Sequence, residues 1–187
     1  ISECLVGSEM CIRDRYNPIE HIKSRIKTSE SIVKKLRRHG YESTIENMVK
    51  YVNDIAGIRV ICSFTSDIYR IAEMIRLQND IHVIAVKDYI RLPKASGYKS
   101  YHMLVTVPVF LSDRTVDVKV EIQIRTVAMD FWASLEHKIN YKFEGNAPEH
   151  VKRELIECAG MVSALDNRMQ ELNEEIKALS KEDTDGA

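Results

Sequence analysis

Between Asn17 and Gly40 the chain places seven basic residues, Lys23, Arg25, Lys27, Lys34, Lys35, Arg37 and Arg38, against two acids, Glu20 and Glu30. The local charge is +5. Ammonium and guanidinium groups at that density can surround a triphosphate, meeting its oxygens through charge-assisted hydrogen bonds. A solvated basic face is the other reading. A second polar set lies at 116–125, where Val116, Val118, Val120, Ile122 and Ile124 alternate with Asp117, Lys119, Glu121, Gln123 and Arg125. Strict period-2 alternation buries one face of a strand and leaves the other polar. Glu, Gln and Arg in succession, beside a stretch carrying Ser100 and His102, read either as a functional sheet face or as plain solvation.

Several chemistries lack their residues. There is no G-x-x-x-x-G-K-[ST], no G-x-G-x-x-G and no kinase-like H-R-D, so the usual phosphate loops are missing. H-E-x-x-H and G-x-S-x-G are absent too, which removes support for zinc proteolysis and serine hydrolysis. No RNP1-like aromatic strand or KH-type G-x-x-G points to RNA. Outside the first 15 residues only Cys62 and Cys158 remain, with no C-x-x-C pair or spaced His. They read as buried free thiols of a reducing cytosol.

The elements that must position these groups follow from period and punctuation. Residues 20–27 read as a short strand. Thr28 or Ser29 caps a helix over about 29–39, with Ile32, Val33 and Leu36 inward and Gly40 as its stop. A short helix near 44–52 leads into a strand at 57–63. Ile68, Ile71, Ala72 and Ile75 give a helix over 67–78. Strands are expected at 81–90, 100–109 and 115–125, then a helix over 126–140. From 148 the pattern changes: Val151, Leu155, Cys158, Val162, Leu165, Met169, Leu172, Ile176 and Leu179 step by four and three. That heptad seam covers about 43 Å of helix, and self-association is the sharper reading of it. Residues 181–187 read as a frayed acidic end.

The whole chain carries 27 basic and 28 acidic residues for a net charge of −1. Near neutrality argues against a polyanion binder only on average, because the +5 segment is offset by six acids against two bases from Gln170 to Ala187. The apolar runs fall well short of the roughly 18 residues that span a bilayer. Composition is that of a soluble globular protein with no membrane partner. Residues 1–15, ISECLVGSEMCIRDR, have neither helical nor strand period and no signal-peptide order. They resemble a translated sequencing adapter, and are expected to be foreign to the native protein.

Four blocks in order carry a resemblance: SRIKTSESIVKKLRR at 24–38, NDIAGIRVIC at 53–62, KDYIRLPKASGYKSYH at 87–102 and VEIQIRTVAMDFWASLEHKINYK at 120–142. Together they resemble the RelA/SpoT-type alarmone synthetases, in particular their small single-domain, RelQ-like class. The likeness runs from about Asn17 to Ser180, and the hydrolase half of longer relatives has no counterpart. It implies an α+β fold, a mixed sheet of about five strands flanked by helices (the nucleotidyltransferase-like synthetase fold), with a C-terminal helical extension. The expected layout is a synthetase domain over 16–147, an oligomerisation helix over 148–180 and a disordered tail at 181–187.

The implied activity is transfer of the β,γ-pyrophosphate of ATP to the ribose 3′-hydroxyl of GTP or GDP, with Mg2+ as cofactor, in the cytoplasm. The resemblance makes Asp54 and Glu121 the catalytic and metal-binding carboxylates. Arg25 and Arg59 match the pair that sandwiches adenine; Lys27, Ser31, Lys35 and Arg38 match positions around the ATP phosphates. On the acceptor side, Tyr98 matches the aromatic under guanine, with Gly97 allowing close backbone approach. Lys94, Lys99 and His102 match residues near the acceptor phosphates and ribose, Gln123 lies beside Glu121, and Asp130 falls where guanine's edge is read. Glu136 and His137 do not separate structure from function.

Two departures stand out. Lys99 replaces a frequent arginine, and residues 1–15 replace an N-terminal helix tied in relatives to tetramer assembly and an alarmone site. A homotetramer, and an alarmone or single-stranded RNA as regulator, are what the likeness implies for partners. The rivals are a nucleotidyltransferase with another acceptor, although paired D-x-D carboxylates are missing, and a non-catalytic RNA- or nucleotide-binding regulator.

Overall fold

The computed structural model describes residues 17–143 and 146–185; the expectation for residues 1–15 lies outside them. Ten elements follow one another: β1 Ile19–Ile26, α1 Ser29–Arg38, α2 Ile45–Tyr51, β2 Ala56–Cys62, α3 Thr65–Arg76, β3 His82–Asp88, β4 Tyr101–Phe110, β5 Thr115–Thr126, α4 Val127–Lys142 and α5 Glu149–Asp185. This is the expected α+β architecture.

The five strands form one mixed sheet in the order β1-β2-β5-β4-β3. β5 lies at its centre, parallel to β2 and antiparallel to β4. The alternation of β5 does what period two demands. Ile122 pairs with Ile58 and Met103, and Val120 with Ala56 and Val105, so the apolar side chains line up across strands. α3 covers that face with Ile68, Ile71 and Ala72, and these form the main core with Val60, Met103 and Ile124. Cys62 is buried in the same core, and burial with the Asp67 and Glu20 charges pushes its thiol up to about 12. It is an inert thiol. Cys158 is exposed rather than buried.

The opposite face carries polar rows. One row runs Lys23–Arg59–Gln123–His102–Lys87 from β1 to β3, and its neighbour runs Arg25–Gly57–Glu121–Leu104. α1 starts where Thr28 Oγ1 accepts from Ser31 N–H at 3.4 Å and stops before Gly40, whose φ of 76° few other residues adopt. Ile32 and Leu36 bury with Val52 in a small second cluster. Thr126 caps α4 by accepting from Met129 N–H at 3.1 Å.

The C-terminal helix departs from expectation at its end. It runs to Asp185, so the acidic stretch read as frayed is helical that far. The heptad seam divides along its length. Leu155, Ala159 and Val162 pack with Trp132 and Ala133 of α4, whereas Leu165, Met169, Leu172, Ile176 and Leu179 are exposed. No helix among the described residues is long and apolar enough to cross a membrane.

Candidate active site

Asp54 lies in the link between α2 and β2, and two lysines converge on it. Lys27 Nζ donates to Oδ2 at 2.5 Å, and Lys35 Nζ to Oδ1 at 2.7 Å. Lys35 points there because Ile32 and Leu36, on the adjoining stripe of α1, are buried against Val52. Burial opposes ionisation of Asp54, but the bonds and charges of the two lysines outweigh it and hold its pKa at about 2. Lys119 of β5 donates to Asn53 Oδ1 and the Val49 carbonyl, tying the Asp54 segment to the strand that carries Glu121.

Glu121 sits at the middle of the polar face inside a closed ring of side chains. His102 Nδ1 meets its Oε1 at 3.1 Å, and Gln123 Nε2 donates to its Oε2 at 3.1 Å. Arg125 Nη2 donates to Gln123 Oε1 at 2.9 Å and to the Tyr98 hydroxyl at 2.6 Å. Tyr98 OH lies 2.8 Å from His102 Nε2 and completes the circuit. The donor directions follow from chemistry. Arginine only donates and a carboxylate only accepts, so the Tyr98 oxygen accepts from Arg125 and His102 Nδ1–H donates to Glu121. The His102 bond holds Glu121 below the usual glutamate range, against burial and the charge of Asp54, which push it up.

Arg125 is the hub of this ring, although its position in the β5 alternation was its only signal in the sequence. Its side chain is 5% exposed. Beyond Tyr98 and Gln123 it donates to Asp130 Oδ1 at 3.1 Å and to Ser100 Oγ at 3.3 Å. Arg59 Nη1 reaches the same Asp130 oxygen at 3.1 Å, and Lys23 lies 4.0 Å from Oδ2. Asp130, in the first turn of α4, is therefore half engaged.

The structure brings Asp54, Lys27 and Lys35 into one group. Glu121, Gln123, His102, Tyr98, Asp130 and Arg59 join a second. Lys94 joins at the edge, its ammonium 4.7 Å from the Tyr98 ring centre and 4.8 Å from that of Tyr89. Arg25 and Arg38 are exposed, and the exposed Ser31 accepts from the Thr28 hydroxyl at 2.9 Å. Lys99 is not brought to these groups, since its ammonium donates to Ser163 Oγ of α5. Gly97 needs its close approach for Ala159 of α5, whose Cβ would lie 2.5 Å from an added Cβ. Glu136 accepts from Asn140 one turn on.

Asp54 and Glu121 are two carboxylates whose charges oppose each other across a lysine-bearing face. Among the described residues no third His, Cys, Asp or Glu completes a metal cluster with them. Such a pair suits a hard cation that takes its other oxygens from phosphate and water.

A mixed sheet with paired carboxylates facing a basic helix defines a nucleotide-phosphate-handling domain. Residues 24–146 match the family model described as the region found in RelA/SpoT proteins, and the chain belongs to that family. It is 47% identical to GTP pyrophosphokinase YwaC of Bacillus subtilis (strain 168), over 92% of this chain and 82% of that one. Its fold matches the crystal structure of small alarmone synthetase 2 from Bacillus subtilis with a TM-score of 0.82 at 45% identity, covering 93% and 89% of the two chains. Small alarmone synthetase 1 from the same organism, bound to its product pppGpp, matches with a TM-score of 0.86 at 39% identity over 94% and 90%.

Proposed function

We propose that this chain is a GTP pyrophosphokinase. It moves the β,γ-pyrophosphate of ATP onto the ribose 3′-hydroxyl of GTP or GDP and releases AMP, making the alarmone (p)ppGpp of the stringent response. The observation that carries this reading is Glu121, a carboxylate oriented through both oxygens at the centre of the sheet face, with lysines on one flank and Tyr98 on the other. Kinship with pyrophosphokinases supports it.

The bonds balance simply. The 3′-oxygen gives its proton to Glu121 and attacks the β-phosphorus of ATP; the bond from that phosphorus to the α–β bridging oxygen breaks, and AMP leaves with its electrons. His102 and Gln123 fix the carboxylate that takes the proton. Lys27, Lys35, Ser31 and Arg38 meet the donor phosphates, and Arg25 and Arg59 stack on adenine. Tyr98 stacks on guanine, Lys94 faces the acceptor phosphates, and Asp130 keeps Oδ2 for guanine's N–H edge. Asp54 and Glu121 would hold a divalent cation, read here as Mg2+, whose charge offsets that gathering on phosphate oxygens.

The reading places the enzyme in the cytoplasm, and the exposed α5 seam supports a homo-oligomer, a tetramer by kinship. No site for an alarmone or RNA regulator is proposed. The test is product analysis: purified protein with ATP and GTP yields AMP and a 3′-pyrophosphorylated guanine nucleotide. Folded protein that yields neither overturns the reading.

A further inference from the structure

The loop that carries Tyr98 is fastened twice to α5. Gly97 N–H donates to the Lys94 carbonyl at 2.8 Å, and Lys94 N–H to the Tyr98 carbonyl at 3.2 Å, so the loop closes on itself. Its tip, Gly97, has φ of 87° and lies so near Ala159 that any side chain there would collide with it. Four residues along the same helix, one turn away, Ser163 accepts from the Lys99 ammonium. Lys99 lines a small cavity together with Met129, Trp132 and Val162, and apolar neighbours of that kind penalise an unpaired charge.

A second link lies behind it. The Thr126 hydroxyl donates to Asp166 Oδ2 at 2.7 Å, and both residues are buried. Burial pushes Asp166 upward, while Thr126 and the Lys99 charge pull it down. Thr126 caps α4 and directly follows Arg125. One face of α5 thus holds both the loop before Tyr98 and the strand end beneath Arg125, the two sides of the tyrosine hydroxyl's hydrogen bond.

We propose that Lys99 is a positioning residue that, through Ser163, locks the Tyr98 loop onto α5, the helix that also holds Thr126 through Asp166, and so sets affinity for the guanine nucleotide acceptor without touching it. The proposal rests on the pyrophosphokinase reading. A loop ordered before binding spares the ligand that ordering cost, and only the acceptor gains, because the donor residues Lys27 and Lys35 hang from α1 and its approach.

The test compares Lys99→Met, Ser163→Ala and the double variant, with GDP binding by calorimetry and steady-state kinetics in which ATP and GTP are varied separately. Each single variant should weaken GDP binding and raise the KM for GTP about tenfold. The KM for ATP and kcat at saturating GTP should stay within about twofold. The double variant should be no worse than Lys99→Met, and Lys99→Arg, long enough to reach Ser163, should restore most of the affinity. A silent Ser163→Ala beside a damaged Lys99→Met would overturn the proposal in favour of direct phosphate contact. Parallel loss of kcat, both KM values and thermal midpoint would overturn it in favour of a merely structural role. If the unaltered protein binds GDP but makes no product, the pyrophosphokinase reading fails while calorimetry still decides on Lys99. If it binds no GDP, both fall.

Discussion

The two flanks of the polar sheet face are built on opposite plans. On the flank built by β1 and α1, Asp54 is held by two ammonium groups at 2.5 and 2.7 Å, and Arg25, Lys34, Arg37 and Arg38 of the same two elements stand exposed. Point charges on flexible stems suit a highly charged ligand arriving from water, because ammonium groups exchange one oxygen partner for another without a set geometry. On the flank built by β4, β5 and the loop before them, Arg125, Tyr98, His102, Glu121 and Gln123 close a ring in which every member has a fixed partner. Buried networks of this kind are rigid when fully satisfied and costly when broken. On the proposed function, attraction and orientation are separate tasks given to different elements.

The largest expected effect strikes the centre of the ring. Glu121→Gln keeps the shape but loses the proton acceptor, and AMP release should fall about a thousandfold with the fold retained; unchanged release would remove Glu121 from its role. Next is stability. Arg125→Met removes the buried donor that Asp130, Tyr98, Gln123 and Ser100 share, and urea unfolding should report a loss of about 3 kcal/mol. Arg59→Met, the more exposed donor to the same Asp130 oxygen, should cost about 1 kcal/mol or less. Equal costs would break the contrast between a buried hub and a rim.

On the donor flank, Lys35→Met should raise the KM for ATP about tenfold, and the penalty should shrink as salt screens the lysine's charge. An effect independent of salt would place Lys35 in packing rather than attraction. The smallest effect is on pH. His102 holds Glu121 below its ordinary range, so in His102→Leu the Glu121 pKa rises and its ionised form is lost sooner on acidification. The acid limb of kcat/KM should move to higher pH whatever the height of its plateau; a downward move would contradict the assigned bond.

Local pattern made the elements legible. The alternation of β5, the Thr28 and Gly40 boundaries of α1, and the apolar stripe of α3 all appear where period and punctuation put them. Asp54 and Glu121 were legible through family blocks, not through spacing alone. What stayed hidden depends on pairing across the chain. Nothing local says that Gly57 lies beside Glu121, or that β5 sits at the centre of the sheet. Arg125 reads as one more polar residue until Tyr98, 27 positions earlier, is brought to it. Lys99 was expected near the acceptor phosphates because the family motif puts a residue there; its ammonium instead meets Ser163 of α5, 64 residues later. Nothing local says how far the domain covers the α5 seam: Leu155 and Val162 pack inward, whereas Leu165 and Met169 stay exposed.

Which bond of ATP is broken decides whether the chain transfers pyrophosphate. With ATP labelled at the β-phosphorus, GTP and the purified protein, all transferred label should appear in a guanine nucleotide carrying a 3′-pyrophosphate, with one unlabelled AMP released for each. Label released as free pyrophosphate, with the AMP unit attached to the acceptor, would contradict pyrophosphoryl transfer and make the chain a nucleotidyltransferase.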